Sequence, residues 1–235
     1  MGKKVIVTGA SRGIGFELVK QYALAGHEVV AISRNLSRLE FLKKECSRLN
    51  SKSKVHVISF DLVDGDFETD LMPFVSECFD KVDILVNNAG ALVVKPFTEI
   101  SSEELERVYR VNVSSVFKLT QLMMPKFSEE AHVLNISSVG GVQGSVKFPG
   151  LTAYSSSKAA LVGLTECLAE EYKETSLSFN CLALGAVQTE MLEEAFPGYE
   201  APTSAKEMAA YILDFSLTGP QFYNGKILTV SKSTP

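Results

Sequence analysis

Seven short apolar runs, rich in β-branched residues, recur along the chain: KKVIVTG (3–9), HEVVAIS (27–33), KVHVISF (54–60), VDILVNN (82–88), AHVLNIS (131–137), LSFNCLAL (177–184) and GKILTVS (225–231). Most are apolar at consecutive positions rather than at every second one, the pattern of strands covered on both faces. Segments of helical periodicity lie between them, near 13–25, 35–49, 66–79, 101–127, 154–174 and 204–215. Strand and helix thus alternate from end to end. This predicts an α/β fold, a doubly wound parallel sheet of about seven strands with helices on both faces. No linker, repeat or low-complexity tract divides it, so residues 1–235 read as one domain.

The net charge of −5 gives no electrostatic reason to expect nucleic acid or an anionic membrane as a partner. No apolar run approaches the ~20 residues that span a bilayer, and the short apolar start runs straight into a glycine motif rather than a signal-peptide pattern. Gly2 lacks the serine or threonine expected at position 6 of a myristoylation signal, where Ile6 stands. Cys46, Cys78, Cys167 and Cys181 show no paired spacing and read as reduced core residues of a cytoplasmic protein. His27, His56 and His132 are far apart, with no metal-ligand motif around them, and read as structural.

The first strand runs directly into VTGASRGIGFELVK, which puts Gly9, Gly13 and Gly15 between that strand and the first helix. Glycine permits the tight turn and lets a pyrophosphate approach the backbone, where N–H groups and the helix dipole receive it. The spacing is Gly-x-x-x-Gly-x-Gly, and the Gly-Lys-Ser/Thr ending of a P-loop is absent, which argues against an NTPase. The second strand ends in Ser33-Arg34-Asn35, with no acid until Glu40 to take a ribose 2′-hydroxyl. Arg34, assisted by Arg12, suits a 2′-phosphate through a charge-assisted fork, so NADP(H) is expected over NAD(H). A solvated loop arginine is the alternative for Arg34.

Thr8-Gly9-Ala10-Ser11-Arg12-Gly13-Ile14-Gly15 resembles the nucleotide motif of the short-chain dehydrogenase/reductase family, and the resemblance extends over essentially the whole chain. It implies a Rossmann-type fold, with Gly9, Ser11, Arg12, Gly13, Ile14 and Gly15 beside the pyrophosphate and Ser33 and Arg34 beside the adenosine ribose. Asp61-Leu62 matches the position that contacts the adenine ring, and Asn87-Asn88-Ala89-Gly90 a segment that supports the sheet and borders that ribose. Asn112 matches an asparagine that distorts its helix and holds a water in a proton relay. Ser138, second of the Ser137-Ser138 pair, matches the substrate-orienting serine. Tyr154 and Lys158 match the acid/base tyrosine and the lysine that binds the nicotinamide ribose. Val187 and Thr189 match the residues that hold the carboxamide.

Helical geometry bears on the same pair. At 100° per residue Tyr154, Lys158, Leu161, Leu168 and Tyr172 share about a quarter of the helix circumference, so Lys158 projects along an inward, apolar face. A nearby ammonium is expected to lower the tyrosine pKa from about 10 toward neutrality. Ala160, Gly163 and Cys167 form a second face of small residues. The family resemblance makes it a pairing surface for a homodimer or homotetramer, and burial within one subunit is the alternative.

The chain also departs from the family pattern. The stretch from Ser138 to Tyr154 is about three residues longer, and Leu184 stands where proline is usual, which predicts a less rigid turn. The segment after Met191 is short for a substrate lid, so an open pocket is expected. Phe148, Met191 and Phe196 are candidates for its lining, with core packing as the alternative. The reading is an NADP(H)-dependent oxidoreductase that interconverts a small-molecule carbonyl and a secondary alcohol. A catalytically silent dinucleotide sensor is the alternative from another class, and intact Asn112, Ser138, Tyr154 and Lys158 count against it. A nucleotide-sugar epimerase of the extended branch needs a different glycine spacing and a longer C-terminal region.

Overall fold

The computed structural model describes residues 2–232. Its seven strands are β1 (Lys4–Thr8), β2 (Glu28–Ser33), β3 (Lys54–Ser59), β4 (Val82–Asn87), β5 (Phe127–Ser138), β6 (Ser178–Leu184) and β7 (Ile227–Val230). They form one sheet in the order β3-β2-β1-β4-β5-β6-β7, with every pairing parallel. The helices are α1 (Gly13–Leu24), α2 (Leu36–Leu49), α3 (Met72–Cys78), α4 (Ser102–Tyr109), α5 (Ser115–Met123), α6 (Thr152–Glu171), α7 (Glu190–Ala195) and α8 (Ala205–Thr218).

Alternation along each strand divides the core between the two sheet faces. Val5, Val7, Val29 and Ala31 pack with Leu18, Leu39, Leu42 and Ile212, so α1, α2 and α8 cover one face. Ile6, Val30 and Ile32 turn the other way, with Phe67, Leu71, Val75, Leu119 and Met123. That face carries α3 and α5, and the buried Ala169 of α6 joins the same cluster. Being buried on both sides is why these strands read as unbroken apolar runs.

The elements expected from the sequence are present, and four details differ. The segment 101–127 is two helices joined by a π-helical turn over Arg110–Ser114, centred on the fully buried Asn112. A second π turn, Phe67–Leu71, precedes α3. β5 starts early, at Phe127 opposite Val82, with a register shift before Ile84. Leu184 lies inside β6, in register with Ser138 on one side and Val230 on the other. The turn expected to lack rigidity is therefore held by the sheet ladder where proline's fixed φ would otherwise do so.

β1 lies between β2 and β4, so the chain leaves it in opposite directions on its two sides. This is a topological switch point, and a crevice opens there at the carboxyl ends of the strands.

Candidate active site

The crevice is a cleft of about 740 Å³. At one end is the turn after β1. Gly9 and Gly13 adopt φ of +70° and +56°, conformations that disfavour any side chain. A Cβ on Gly15 would lie 2.4 Å from the Gly9 carbonyl oxygen and 2.6 Å from Asn88 Nδ2, so the close approach there requires glycine as well. The segment after β4 braces the turn from behind. Thr8 Oγ1 accepts hydrogen bonds from the N–H groups of Asn88 and Ala89, and Asn88 Nδ2 donates to the Thr8 carbonyl at 2.9 Å.

No side chain caps α1, so its first N–H groups lack the partner that caps supply elsewhere in this chain, as Asn35 does for α2 and Ser204 for α8. Uncapped amides at a glycine cradle fit the diphosphate of a dinucleotide. Ser33 Oγ donates to Ser11 Oγ at 2.7 Å, which ties the end of β2 to the turn. The exposed Arg34 stands 3.8 Å from Asp61, whose Oδ1 accepts from Val63 N. Arg12 reaches over the turn to a forked ion pair with Glu194 of α7, at 2.5 and 3.2 Å. Ile14, Leu62, Ala89, Gly90, Val187 and Thr189 also line the cleft.

At the other end the cleft is bounded by the end of β5 and the start of α6. Ser138 and Tyr154 line it, partly open to solvent. Ser137, beside Ser138, is buried and donates to the Lys158 carbonyl, so Ser138 is the more open of the two. One helical turn beyond Tyr154, Lys158 is 3% exposed, as the helical wheel implies. Its Nζ donates to the Ile136 carbonyl at 2.8 Å and lies 5.8 Å from the centre of the Tyr154 ring. Burial pushes the Lys158 ammonium down to about 8. It pushes the Tyr154 phenol up to about 12, against a hydrogen bond with Ser138 that opposes the rise. The direction is thus opposite to the lowered tyrosine pKa expected, because loss of hydration outweighs the Ser138 hydrogen bond.

Asn112 does not line the cleft. Its Oδ1 accepts from Ala91 N at 2.7 Å, while Nδ2 donates to the Ala91 carbonyl and to Ser157 Oγ. Through these three hydrogen bonds its amide locks the loop after β4 to α6. Gly90 faces both groups: a Cβ there would be 3.6 Å from Asn112 Oδ1 and 3.6 Å from Lys158 Nζ.

The lid missed by sequence periodicity is α7, six residues capped by Thr189, whose Oγ1 accepts from Leu192 N. The signal was present in Thr189-Glu190, a cap followed by an acid in the first turn. Gln188 closes the base of this segment by donating its N–H to the Thr203 carbonyl and accepting from Ala201 N through Oε1. Phe148, Met191 and Phe196 all line the cleft, so core packing does not account for them. Val146 and Tyr199 join them, from loops whose sequence carries no periodic signal. Cys46 and Cys181 are buried as expected, whereas Cys167 is exposed and Cys78 half-buried.

The short chain dehydrogenase family model matches residues 3–200. The chain is a short-chain dehydrogenase. Members of this family are oxidoreductases that act on CH–OH and C=O groups with a nicotinamide cofactor. The chain is 31% identical to 3-oxoacyl-(acyl-carrier-protein) reductase of Thermotoga maritima, over 88% of this chain and 81% of that one. It is 31% identical to gluconate 5-dehydrogenase of Gluconobacter oxydans, over 97% and 93%. A short-chain dehydrogenase from Shigella flexneri, solved in complex with NADP, superimposes with a TM-score of 0.87 at 27% identity, covering 97% of this chain and 96% of that one. Among the described residues, no helix of this dehydrogenase is long and apolar enough to cross a membrane.

Proposed function

We propose that this short-chain dehydrogenase is an NADP(H)-dependent carbonyl reductase that uses Tyr154 as its acid/base group. The observation that carries the reading is one cleft with an uncapped glycine cradle at one end and Ser138, Tyr154 and Lys158 at the other. The cradle of Gly9, Gly13 and Gly15 would hold the diphosphate, Asp61, Leu62, Asn88, Ala89 and Gly90 the adenosine half, and Lys158, Val187 and Thr189 the nicotinamide half. Bound there, the cofactor supplies hydride to the carbonyl carbon.

Tyr154 gives its phenolic proton to the carbonyl oxygen as negative charge develops there, and Ser138 Oγ steadies that oxygen by a hydrogen bond. With its pKa raised to about 12, the phenol is fully protonated at neutral pH and ready to donate. The Lys158 ammonium, near 8, is the stronger acid and drives return of a proton to tyrosinate. Asn112 acts through position, by holding the Ala91 loop against α6.

The preference for NADP(H) is supported by the end of β2, which itself carries no carboxylate, and by the exposed Arg34, which would exchange its 3.8 Å contact with Asp61 for a 2′-phosphate. The NADP complex of the Shigella protein supports it too. Arg12 reaches such a phosphate by exchanging Glu194 for it. A homo-oligomer in the cytoplasm completes the proposal. A Cβ on Gly163 would meet nothing within 4 Å in its own chain, which leaves that face of α6 open to a second copy.

The test is steady-state oxidation of NADPH and NADH across ketones and aldehydes, with Tyr154→Phe as the decisive variant. NADPH is expected to be preferred, and the variant to lose roughly 10²- to 10⁴-fold in kcat while binding NADPH as before. Undiminished turnover by the variant, or equal use of the two cofactors, overturns the corresponding part of the reading. Cofactor binding without turnover of any carbonyl identifies a silent dinucleotide sensor instead.

A further inference from the structure

The charged groups that line the cleft divide sharply along its length. Arg34, Asp61 and Arg107 also line the adjoining groove of about 380 Å³, which places them at the adenosine end. Arg12 belongs to the glycine turn, and Glu190 lies beside it, 3.6 Å from where a Gly13 Cβ would be. Among the described lining residues this leaves Lys158 as the sole cation near Tyr154. Lys158 sits beneath the surface of the cleft and donates to the Ile136 carbonyl.

Lys147 and Lys95, from the two loops that meet at Gly150, do not enter the lining. Lys147 turns back on its own loop to the Val142 carbonyl and Ser145 Oγ, and Lys95 pairs with Glu104. A substrate carboxylate or phosphate beside Tyr154 would therefore lose water and find no cation except the buried Lys158, which already donates to the Ile136 carbonyl.

Apolar groups take the place of charge here, and they come from the two segments in which this sequence departs from its family. The longer loop between Ser138 and Tyr154 turns at Gly144 and Gly150, with φ of +76° and +81°. It presents Val146 and Phe148 to the cleft, 44% and 47% exposed. The short lid contributes the half-buried Met191 and Phe196, and Tyr199 at 50% exposure. Large apolar side chains left open inside a concavity, next to two converging hydroxyls, are the lining of a small-molecule site. The loop is fixed in place: Lys95 N donates to the Gly150 carbonyl, and a Cβ on Gly150 would lie 3.3 Å from Val94 Cγ1.

We propose that the substrate is an uncharged carbonyl compound bearing an extended alkyl or aryl group, which packs against Val146, Phe148, Met191, Phe196 and Tyr199. This rests on the reductase reading above and specifies its substrate class. Ser138 and Tyr154 engage the carbonyl oxygen, and the remainder of the molecule needs no hydrogen-bonding partner. Reduction adds hydride from NADPH to carbon and a proton to oxygen, and releases the secondary alcohol and NADP⁺.

The test compares two substrate sets with NADPH. Across the methyl ketones from butan-2-one to octan-2-one, kcat/KM is expected to rise by up to about fourfold per methylene, as burial of each CH₂ implies. Ethyl benzoylformate is expected to exceed benzoylformate at least tenfold. Phe148→Ala is expected to reduce the ratio of octan-2-one to butan-2-one turnover severalfold. Calorimetry on the NADP⁺-bound protein gives a readout without chemistry, in which phenylacetamide should bind more tightly than phenylacetate.

A flat ketone series, preference for the carboxylate, or an unchanged ratio in Phe148→Ala overturns the substrate class and leaves the reductase reading intact. Absence of turnover with every carbonyl, despite bound NADPH, overturns the reductase reading and this inference with it.

Discussion

Burial moves Tyr154 and Lys158 in opposite directions, because it penalises the charged form of each, phenolate in one and ammonium in the other. The pair therefore rests as a neutral phenol beside an ammonium whose proton is held less tightly than in water. The sign of the pH dependence follows. If reduction needs the Lys158 ammonium, kcat/KM falls as pH rises through about 8, where that proton is lost, and levels off below it. A pH–rate profile checks this, and Lys158→Met should remove the descending limb along with most of the activity. At this scale the sequence was informative where chemistry demands a residue type in a fixed setting: Gly9, Gly15, Ser138, Tyr154 and Lys158 all face the cleft or shape it. It was uninformative on ionisation, since the pKa of Tyr154 depends on dehydration by residues far from it in the chain. The pairing of Arg12 with Glu194 was hidden for a similar reason, as 182 positions separate the two.

Among the elements, helices with a strong apolar period were legible and irregular ones were not. α8 shows what local chemistry contributes: Ser204 and Glu207 form a reciprocal capping box, with the Ser204 side chain accepting from Glu207 N and Glu207 accepting from Ser204 N. Ser204→Ala is expected to lower stability by about 1 kcal/mol, measurable as a reduced urea midpoint with an unchanged slope. α7 escaped periodicity because six residues are too few to display a period, and none of them is buried. The break between α4 and α5 escaped periodicity because its cause is tertiary, and only the family resemblance implied a distortion at Asn112. Asn112 bonds to Ala91, and that contact exists only once β4 and the helix are assembled.

Across the whole molecule, a buried polar chain links two helices of one sheet face, α1 and α8, to strands β5 and β6. Tyr22 of α1 bonds to Ser216 of α8, and the Ser216 carbonyl accepts from His132 Nδ1. His132 Nε2 in turn accepts from Asn180 of β6. The imidazole is thereby fixed as its neutral tautomer, and burial pushes its pKa down to about 4. Its unfolded counterpart titrates near 6.5, so the unfolded chain gains the proton first as pH falls. Stability from this group is complete above about 6.5 and is lost progressively toward pH 4, by roughly 3 kcal/mol in all. Urea midpoints between pH 7 and 4 should fall less steeply in His132→Gln than in the unaltered protein. The packing of α1 on α8 that anchors this chain carries a further consequence, one for biosynthesis. Residues 13–24 leave the ribosome some 180 positions before residues 205–218, an interval of roughly 10–40 s at ordinary rates of translation. Throughout that time the part of α1 that packs on α8 is uncovered, although α2 joins the same apolar cluster earlier. The nascent chain therefore carries that apolar surface of α1 open until residues 205–218 have been made.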